Sequence, residues 1–184
     1  MEVAEIRVSY STNQPDKIKL ITCKEVYQFV LSKWNLDLIE FQEETKLILL
    51  NRANIVLGIY ELSKGGISGT VVDIRIILSV ALKCNASSII LVHNHPSGNL
   101  TASESDNTIT NKLKKSCELL GIYLLDHLII SKEGYYSFAK NENLQITYFP
   151  KLYILDWENM IFLMSVSLSK SISFLENKIS EVYS

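Results

Sequence analysis

The sequence predicts an α/β fold in which helices flank one mixed, mainly antiparallel sheet. Predicted strands and helices alternate along the chain, as is typical of helices that pack on a sheet. Two pairs of neighbouring strands, within residues 46–62 and 122–138, are each joined by a short turn and predict antiparallel hairpins. With 47% hydrophobic and 21% charged residues, the composition is that of a globular protein.

Each element follows from a local pattern. Apolar and polar residues alternate over residues 3–10, which predicts a short strand, and a turn is expected at residues 13–16. A helix is predicted from its cap, Thr22, to about Lys33. The other expected elements are, in order, a strand pair at 46–51 and 54–62, a helix at 72–85, a buried strand at 88–92, a helix at 103–120 ended by Gly121, and a strand pair at 122–131 and 135–138.

The apolar residues of the second and third helices predict which faces meet the sheet. On the second helix we expect a broad apolar face made of Ile76, Ile77, Val80, Ala81 and Leu82. On the third helix the residues expected to point inward are Ile109, Leu113 and Leu120.

Three segments are expected along the chain. Residues 1–22 would form an N-terminal strand and turn, residues 23–140 a metal-binding domain, and residues 141–184 a C-terminal extension. Within that extension, residues 157–183 have the spacing of one amphipathic helix. Such a helix favours packing on the domain or a homodimer contact over a role at a membrane surface.

Charge and cysteine content restrict the partners and the compartment. A formal net charge of −2 provides no overall basic field, so charge does not support a nucleic-acid partner. The three cysteines are scattered, which argues against a disulfide framework and for a reducing compartment. No leader and no membrane span are predicted, so a cytoplasmic location is expected.

The main chemical signal is the run His-Asn-His-Pro-Ser-Gly at residues 93–98, followed by Ser103 and Asp106. Two imidazoles at positions i and i+2 of a strand end point to the same side. Asp106 follows after one short loop and can close on the pair. Two histidines and one carboxylate form a ligand set that leaves a zinc position open for water, which indicates a hydrolase.

Ser103 and Asp106 also fit a helix capping box, with the hydroxyl at the N-cap and the acid at N3. This interpretation is compatible with metal binding, because the cap would hold the carboxylate near the strand end. Hydrolysis also needs a proton acceptor from elsewhere in the chain. Glu43 and Glu44, ahead of the first strand of the 46–62 pair, are the best placed, and spacing alone does not exclude Glu40.

The pattern His-x-His, seven residues, Ser, two residues, Asp resembles the JAMM (MPN+) metalloprotease motif. The fuller run from His93 resembles the RadC-like branch of that family, and the similarity extends in order over about residues 2–140. Four further segments carry it: residues 50–54, 65–70, 125–130 and 135–139. The resemblance implies a JAB/MPN fold, which is similar to that of cytidine deaminases.

The resemblance also implies roles for individual residues. His93, His95 and Asp106 would bind Zn²⁺, Ser103 would help hold the water or the oxyanion, and Glu43 would be the general acid/base. The expected reaction is attack of zinc-activated water on a peptide or isopeptide carbonyl of a protein or peptide substrate. His127, the third histidine, is expected to be a structural residue anchored by Asp126 or by the backbone.

Some features depart from the family pattern. Ala102 replaces a proline that usually precedes the motif serine, and Thr45 stands where an aromatic residue is common. The similarity does not cover the helix-hairpin-helix segment of longer RadC proteins, so it does not imply DNA binding.

Two functions other than peptide hydrolysis can be compared with the sequence. The alternative function is a non-catalytic RadC-type DNA-repair or mobile-element accessory protein with a structural metal site. A zinc nucleobase deaminase is rejected. Such an enzyme needs His-x-Glu and a later Pro-Cys-x-x-Cys, whereas this chain has His-Asn-His at residues 93–95 and no paired cysteines.

Overall fold

A computed structural model describes residues 10–11, 17–66 and 71–141 of the chain. The sheet formed by these residues has five strands in the order β2-β1-β3-β4-β5. Three of its four strand pairs are antiparallel and the β3–β4 pair is parallel, so the predicted mixed, mainly antiparallel sheet flanked by helices is confirmed. In chain order the elements are α1 (Cys23–Leu31), β1 (Glu44–Leu50), β2 (Val56–Lys64), α2 (Ile74–Lys83), β3 (Ser88–Asn94), α3 (Glu104–Leu119), β4 (Tyr123–Ile130) and β5 (Tyr135–Ser137).

Polar caps define where the three helices begin. The side chain of Thr22 caps α1 and closes a capping box with Glu25, and Asp73 caps α2 by accepting from the Arg75 N–H. Ser103 caps α3 in the predicted box with Asp106. These side chains satisfy backbone N–H groups that the first helical turn leaves without partners, so the caps locate the helix starts.

The β3–α3–β4 unit determines where the candidate site lies. Parallel strands need a crossover connection, and α3 provides it between β3 and β4. The chain leaves β3 at Asn94, crosses a loop with two turn residues, and enters α3 at Glu104. This path brings the start of α3 close to the carboxyl end of β3.

The sheet is covered on both faces. Alternate residues of β1 and β3, among them Leu47 and Leu91, form one core with Ile77 of α2 and Leu113 of α3. On the opposite face the Nζ of Lys46 lies 4.8 Å from the centre of the Trp34 ring, just after α1. Burial on both faces explains why β3 is a continuous apolar run before its histidines.

The predictions of which residues of α2 and α3 face the sheet are partly wrong. On α2, Ile77 and Ala81 are buried as expected, but Ile76 and Leu82 are exposed. On α3, Leu113 is buried, whereas Leu120 lies past the helix end and is exposed. The apolar composition predicted a wider face than the sheet can cover, because a helix on a sheet buries one stripe.

Several predictions fall outside the described residues. These are the strand at residues 3–10 except for Tyr10, the whole turn at 13–16, part of the glycine-containing segment at 65–70, and nearly all of the extension at 141–184. The domain boundaries therefore stay predictions. The three cysteines all lie in described segments and are free. Within those segments, no helix has the length and apolar character needed to cross a membrane.

Candidate metal centre

The two histidines of the motif meet at the end of β3. His93 is the sixth residue of the strand, is 3% exposed, and pairs across the sheet with Thr45 of β1. His95 follows the strand and keeps its direction, since its N–H donates to the carbonyl of Ile130 at 3.3 Å. The two Nε2 atoms consequently lie 3.0 Å apart.

The two carboxylate oxygens of Asp106 have different contacts. Oδ2 accepts the N–H and the hydroxyl of Ser103 at 2.8 and 2.7 Å, which are bonds of the capping region of α3. Oδ1 lies 3.2 Å from the Nε2 of His93, and Oδ2 lies 3.7 Å from the Nε2 of His95. Capping and convergence on the histidines thus occur together, because the cap holds one oxygen and turns the other toward the strand end.

A chain of hydrogen bonds determines which nitrogen of His93 carries the proton. The Thr110 hydroxyl donates to the carbonyl of Asp106 at 2.6 Å, so its oxygen accepts from the Nδ1–H of His127, also at 2.6 Å. The Nε2 of His127 is then the acceptor for the Nδ1–H of His93 at 2.9 Å. In consequence the Nε2 of His93 presents a lone pair to the cluster.

His95 is oriented in the same way by a backbone group. Its Nδ1 donates to the carbonyl of Asn99 at 2.6 Å, which leaves a lone pair on Nε2. Two imidazole nitrogens and the Oδ1 of Asp106 therefore converge as three acceptors. A cation or a proton is needed between them, since acceptors that face one another repel.

The electrostatics of the cluster reflect this arrangement. The Asp106 carboxylate, to which a protonated ring would donate, raises the pKa of His95 above its ordinary value, although partial burial opposes the shift. Burial opposes but does not prevent a strong lowering of the Asp106 pKa by the two histidines, so this carboxyl stays ionised. Burial, together with neighbouring His93, holds the pKa of His127 well below 6.5 and keeps that ring neutral.

The donor set fits a metal ion. The ligand atoms of His93, His95 and Asp106 all lie within 4.8 Å of one another. Ligand atoms about 2.1 Å from a tetrahedral ion are separated by about 3.4 Å, and the closest separations here are 3.0 and 3.2 Å. The three residues therefore form a candidate metal site with little rearrangement.

The structure separates the three candidate glutamates. Glu43 lines a cavity of about 520 Å³ together with the two histidines, Ser103 and Asp106. Glu44 is 2% exposed and points away, where Lys46 and Lys64 pair with it at 3.6 and 3.7 Å. Glu40 is an exposed residue whose carboxylate pairs with Lys132. Glu43 directly precedes β1 and extends its pairing through backbone bonds to Gly65 and Gly66, so that it and Glu44 face opposite sides as adjacent strand residues do.

Backbone hydrogen bonds hold Glu43 in place from both sides. Its N–H donates to the carbonyl of Gly66 at 3.2 Å, and its carbonyl accepts from the N–H of Gly65 at 2.7 Å. The side chain of Asn94 binds the same segment, since its Nδ2 donates to the carbonyls of Ile39 and Gln42 at 2.6 and 2.9 Å. The histidine strand and the segment carrying Glu43 are thereby joined directly.

Comparison with known protein families gives the chain an assignment. Residues 20–144 match the model of the RadC-like JAB domain. The chain belongs to the RadC-like JAB domain family. The matched range contains β1 to β5 and all five residues that sequence reasoning placed at the site.

Curated relatives of this RadC-like JAB domain carry the name UPF0758 protein. One from Flavobacterium johnsoniae is 48% identical over 97 residues, which is 53% of this chain and 42% of the relative. Another from Streptococcus sanguinis is 44% identical over 103 residues, covering 56% of this chain and 45% of the relative. A third, from Porphyromonas gingivalis, is 46% identical over 99 residues. The chain spans less than half the length of these relatives.

Sequence reasoning missed two residues at the site of this RadC-like JAB domain. His127 was expected to be anchored by Asp126 or by the backbone, and its backbone N–H does donate to Asp126. The contacts of its ring with His93 and Thr110 were not predicted. Asn94 was treated only as the middle residue of the motif, although it is fully buried. The sequence signal that could have located His127 was its position in the predicted strand β4. This strand pairs with β3 and places His127 beside Leu91, close to His93.

Proposed function

We propose that this chain is a zinc-dependent hydrolase that cleaves a peptide or isopeptide bond. The observation that carries the proposal is the convergence of three acceptor atoms, from His93, His95 and Asp106, in an open cavity that Glu43 also lines. Three protein ligands beside an accessible space are the pattern of catalytic zinc sites, whereas structural sites are closed by four ligands.

Zinc is favoured by the chemistry of the donors. Imidazole nitrogen and carboxylate oxygen are both common zinc ligands, and both ring orientations are set by hydrogen bonds from the opposite nitrogen. When bound, a zinc ion supplies a Lewis acid that lowers the pKa of a water molecule and polarises a carbonyl group. The other steps of the proposed reaction are carried out by side chains of the protein.

Glu43 would move the proton. Its carboxylate lines the cavity that contains the ligand cluster, and its electrostatic effect reaches His95, whose pKa it helps to raise after the larger effect of Asp106. In this role Glu43 accepts a proton from the attacking water and delivers it to the leaving nitrogen. The hydrogen bonds from the Gly65 and Gly66 segment hold its backbone while the proton moves.

Ser103 would have two successive contacts. In the structure its hydroxyl donates to Asp106, at 2.7 Å from Oδ2. Rotation about its Cα–Cβ bond turns the same hydroxyl toward a substrate oxygen that gains negative charge during the reaction. Donors aimed at developing charge are among the largest contributions to catalysis.

The first experiment compares cells that express the wild type, Glu43→Gln or Glu40→Gln. Quantitative proteomics would search for peptides whose termini or linkages differ. We expect the Glu43→Gln cells to lose specific cleavage products, while Glu40→Gln, an exposed control, behaves as the wild type. Normal zinc content in all three proteins with no substrate difference would contradict the peptidase proposal.

A second measurement separates a catalytic from a purely structural metal. Zinc content and circular dichroism would be recorded for the wild type and His95→Ala, with and without a chelator. A catalytic site predicts loss of stoichiometric zinc with the fold retained. Unfolding on metal removal would instead favour the accessory-protein alternative, because structural zinc contributes folding free energy directly.

A further inference from the structure

The cavity at the candidate metal centre has a polar side and an apolar side. The polar side holds the ligand cluster, Glu43 and small hydroxyl residues. The apolar side is formed by five residues that no step of the proposed reaction uses: Val71, Val72, Leu91, Pro96 and Ile109.

The apolar side begins directly beside the ligands. Leu91 lies two residues before His93 and shares its face of β3. Ile109 lies three residues after Asp106 on α3, a spacing that makes them neighbours on the helix surface. Val71, ahead of α2, is 87% exposed, so its side chain is in water unless something covers it.

The charges around the cavity restrict what can enter. Among the described residues that line it, the acidic side chains are Glu43 and Asp106, and no lysine or arginine is present. An acidic side chain on the apolar side would therefore lie near carboxylates with no cationic side chain to offset them. A lysine side chain would have to place its charge against aliphatic surface, which costs free energy.

The size of the cavity exceeds what hydrolysis alone requires. A water molecule occupies about 30 Å³ of liquid volume, whereas the cavity measures about 520 Å³. There is room for one amino-acid side chain together with the flanking peptide groups. Burial of an aliphatic side chain here would also cover the exposed valine.

We propose that the cavity binds a peptide segment in which the residue that supplies the scissile carbonyl has an aliphatic side chain. That side chain packs against Leu91, Ile109 and Val71, while its carbonyl lies at the ligand cluster. This inference rests on the proposed function and adds the substrate class to it.

The test uses binding to the zinc-loaded chain of 184 residues, so it needs no turnover. The probes are the hydroxamates of N-acetyl-leucine, N-acetyl-lysine and N-acetyl-aspartate, which share one metal-binding group and differ in the side chain. By calorimetry we expect the leucine compound to bind at least about tenfold more tightly than the aspartate compound, with the lysine compound between them. Equal affinities would overturn the aliphatic site and leave the zinc site standing.

Variants of the cavity test which residues cause the preference for the leucine compound. Ile109→Asn should reduce the advantage of the leucine compound about tenfold without changing zinc content, whereas Ile76→Asn, a similar change outside the cavity, should not. If Ile109→Asn does not fold, Val71→Asn decides, because its exposed position tolerates asparagine. A preference unchanged in the folded variant contradicts the inference. Absence of zinc from the wild type would overturn both proposals, and metal analysis would identify that case.

Discussion

The Oδ1 atom of Asn94 accepts the backbone N–H of Glu44 at 2.7 Å, between residues fifty positions apart in the chain. The same side chain donates through Nδ2 to the carbonyls of Ile39 and Gln42. Asn94 therefore completes the backbone hydrogen bonding of the segment that ends at Glu43. The proposed proton acceptor and the proposed ligands are held in one arrangement by a residue that is not itself one of the proposed ligands.

Replacement of Asn94 by alanine should destabilise the protein strongly. The change leaves three backbone groups without their partner in a fully buried place, and we expect a loss of about 2 kcal/mol or more in the free energy of unfolding. Urea denaturation measures it. Asn35→Ala serves as the control, since Asn35 is exposed and accepts one local bond from Asp37. Equal losses in the two variants would contradict the anchoring role.

Thr110→Val should weaken metal binding although Thr110 is not a ligand. Without the hydroxyl, the Nδ1 of His127 loses its acceptor, and the tautomer that orients His93 is no longer imposed. Loss of such an outer partner typically reduces metal affinity about 10- to 100-fold. Competition with a chromogenic zinc chelator measures the affinity. Thr108→Val, exposed on the same helix, should leave it unchanged, and an unchanged affinity in Thr110→Val would refute the hydrogen-bond chain.

Thr45→Val should stabilise the protein, in contrast to the replacement of Asn94. Thr45 is 1% exposed, and its Oγ1 has no hydrogen-bond partner within the described part of the chain. A buried hydroxyl without a partner is unfavourable, so valine should raise the free energy of unfolding by about 1 kcal/mol. The same substitution at Thr110, where the hydroxyl is paired, should lower it. Thermal denaturation of the two variants side by side tests this, and destabilisation of both would count against it.

The buried carboxyl of Asp126 should make stability depend on pH. Burial raises its pKa to about 6, even though Ser137, Ala139, Cys23 and the backbone of His127 donate to it and oppose the shift. The unfolded pKa is about 3.9, so between the two values the folded protein binds a proton that the unfolded chain has released. This group's contribution to stability is therefore full below about pH 4 and is lost as the pH rises through about 6.

Urea denaturation from pH 4 to pH 7 in the presence of a chelator would measure that contribution. Subtracting the Asp126→Asn curve from the wild-type curve removes the effects of other carboxyls. The difference should shift against the wild type as the pH rises. Parallel curves for the wild type and Asp126→Asn would show that the buried carboxyl does not titrate in this range.

Much of the fold could be predicted because its signals are local. Thr22, Asp73 and Ser103 mark helix starts through hydrogen bonds to residues two or three positions away. The hairpins and the buried strand follow from apolar runs separated by turns. The widths of helix faces were predicted less well, because exposure of Ile76 and Leu82 depends on how the sheet and neighbouring helices cover α2.

The site was predictable where one short motif contains its residues. His93, His95, Ser103 and Asp106 fall within fourteen positions of the sequence. Glu43 required the family resemblance, since spacing does not tell which of two adjacent glutamates faces the cavity. Asn94 and His127 could not be assigned their contacts, because these depend on strand register and on backbone atoms far along the chain.

Asp106 contributes to the candidate site through two different groups, its side-chain carboxylate and its peptide carbonyl. Its carboxylate meets the histidines, and its peptide carbonyl begins the hydrogen-bond chain through Thr110 and His127 that sets the tautomer of His93. Both depend on α3 having docked against β3 and β4. A folding chain would therefore acquire its metal late, and metal should act mainly by slowing unfolding and hardly at all by speeding folding.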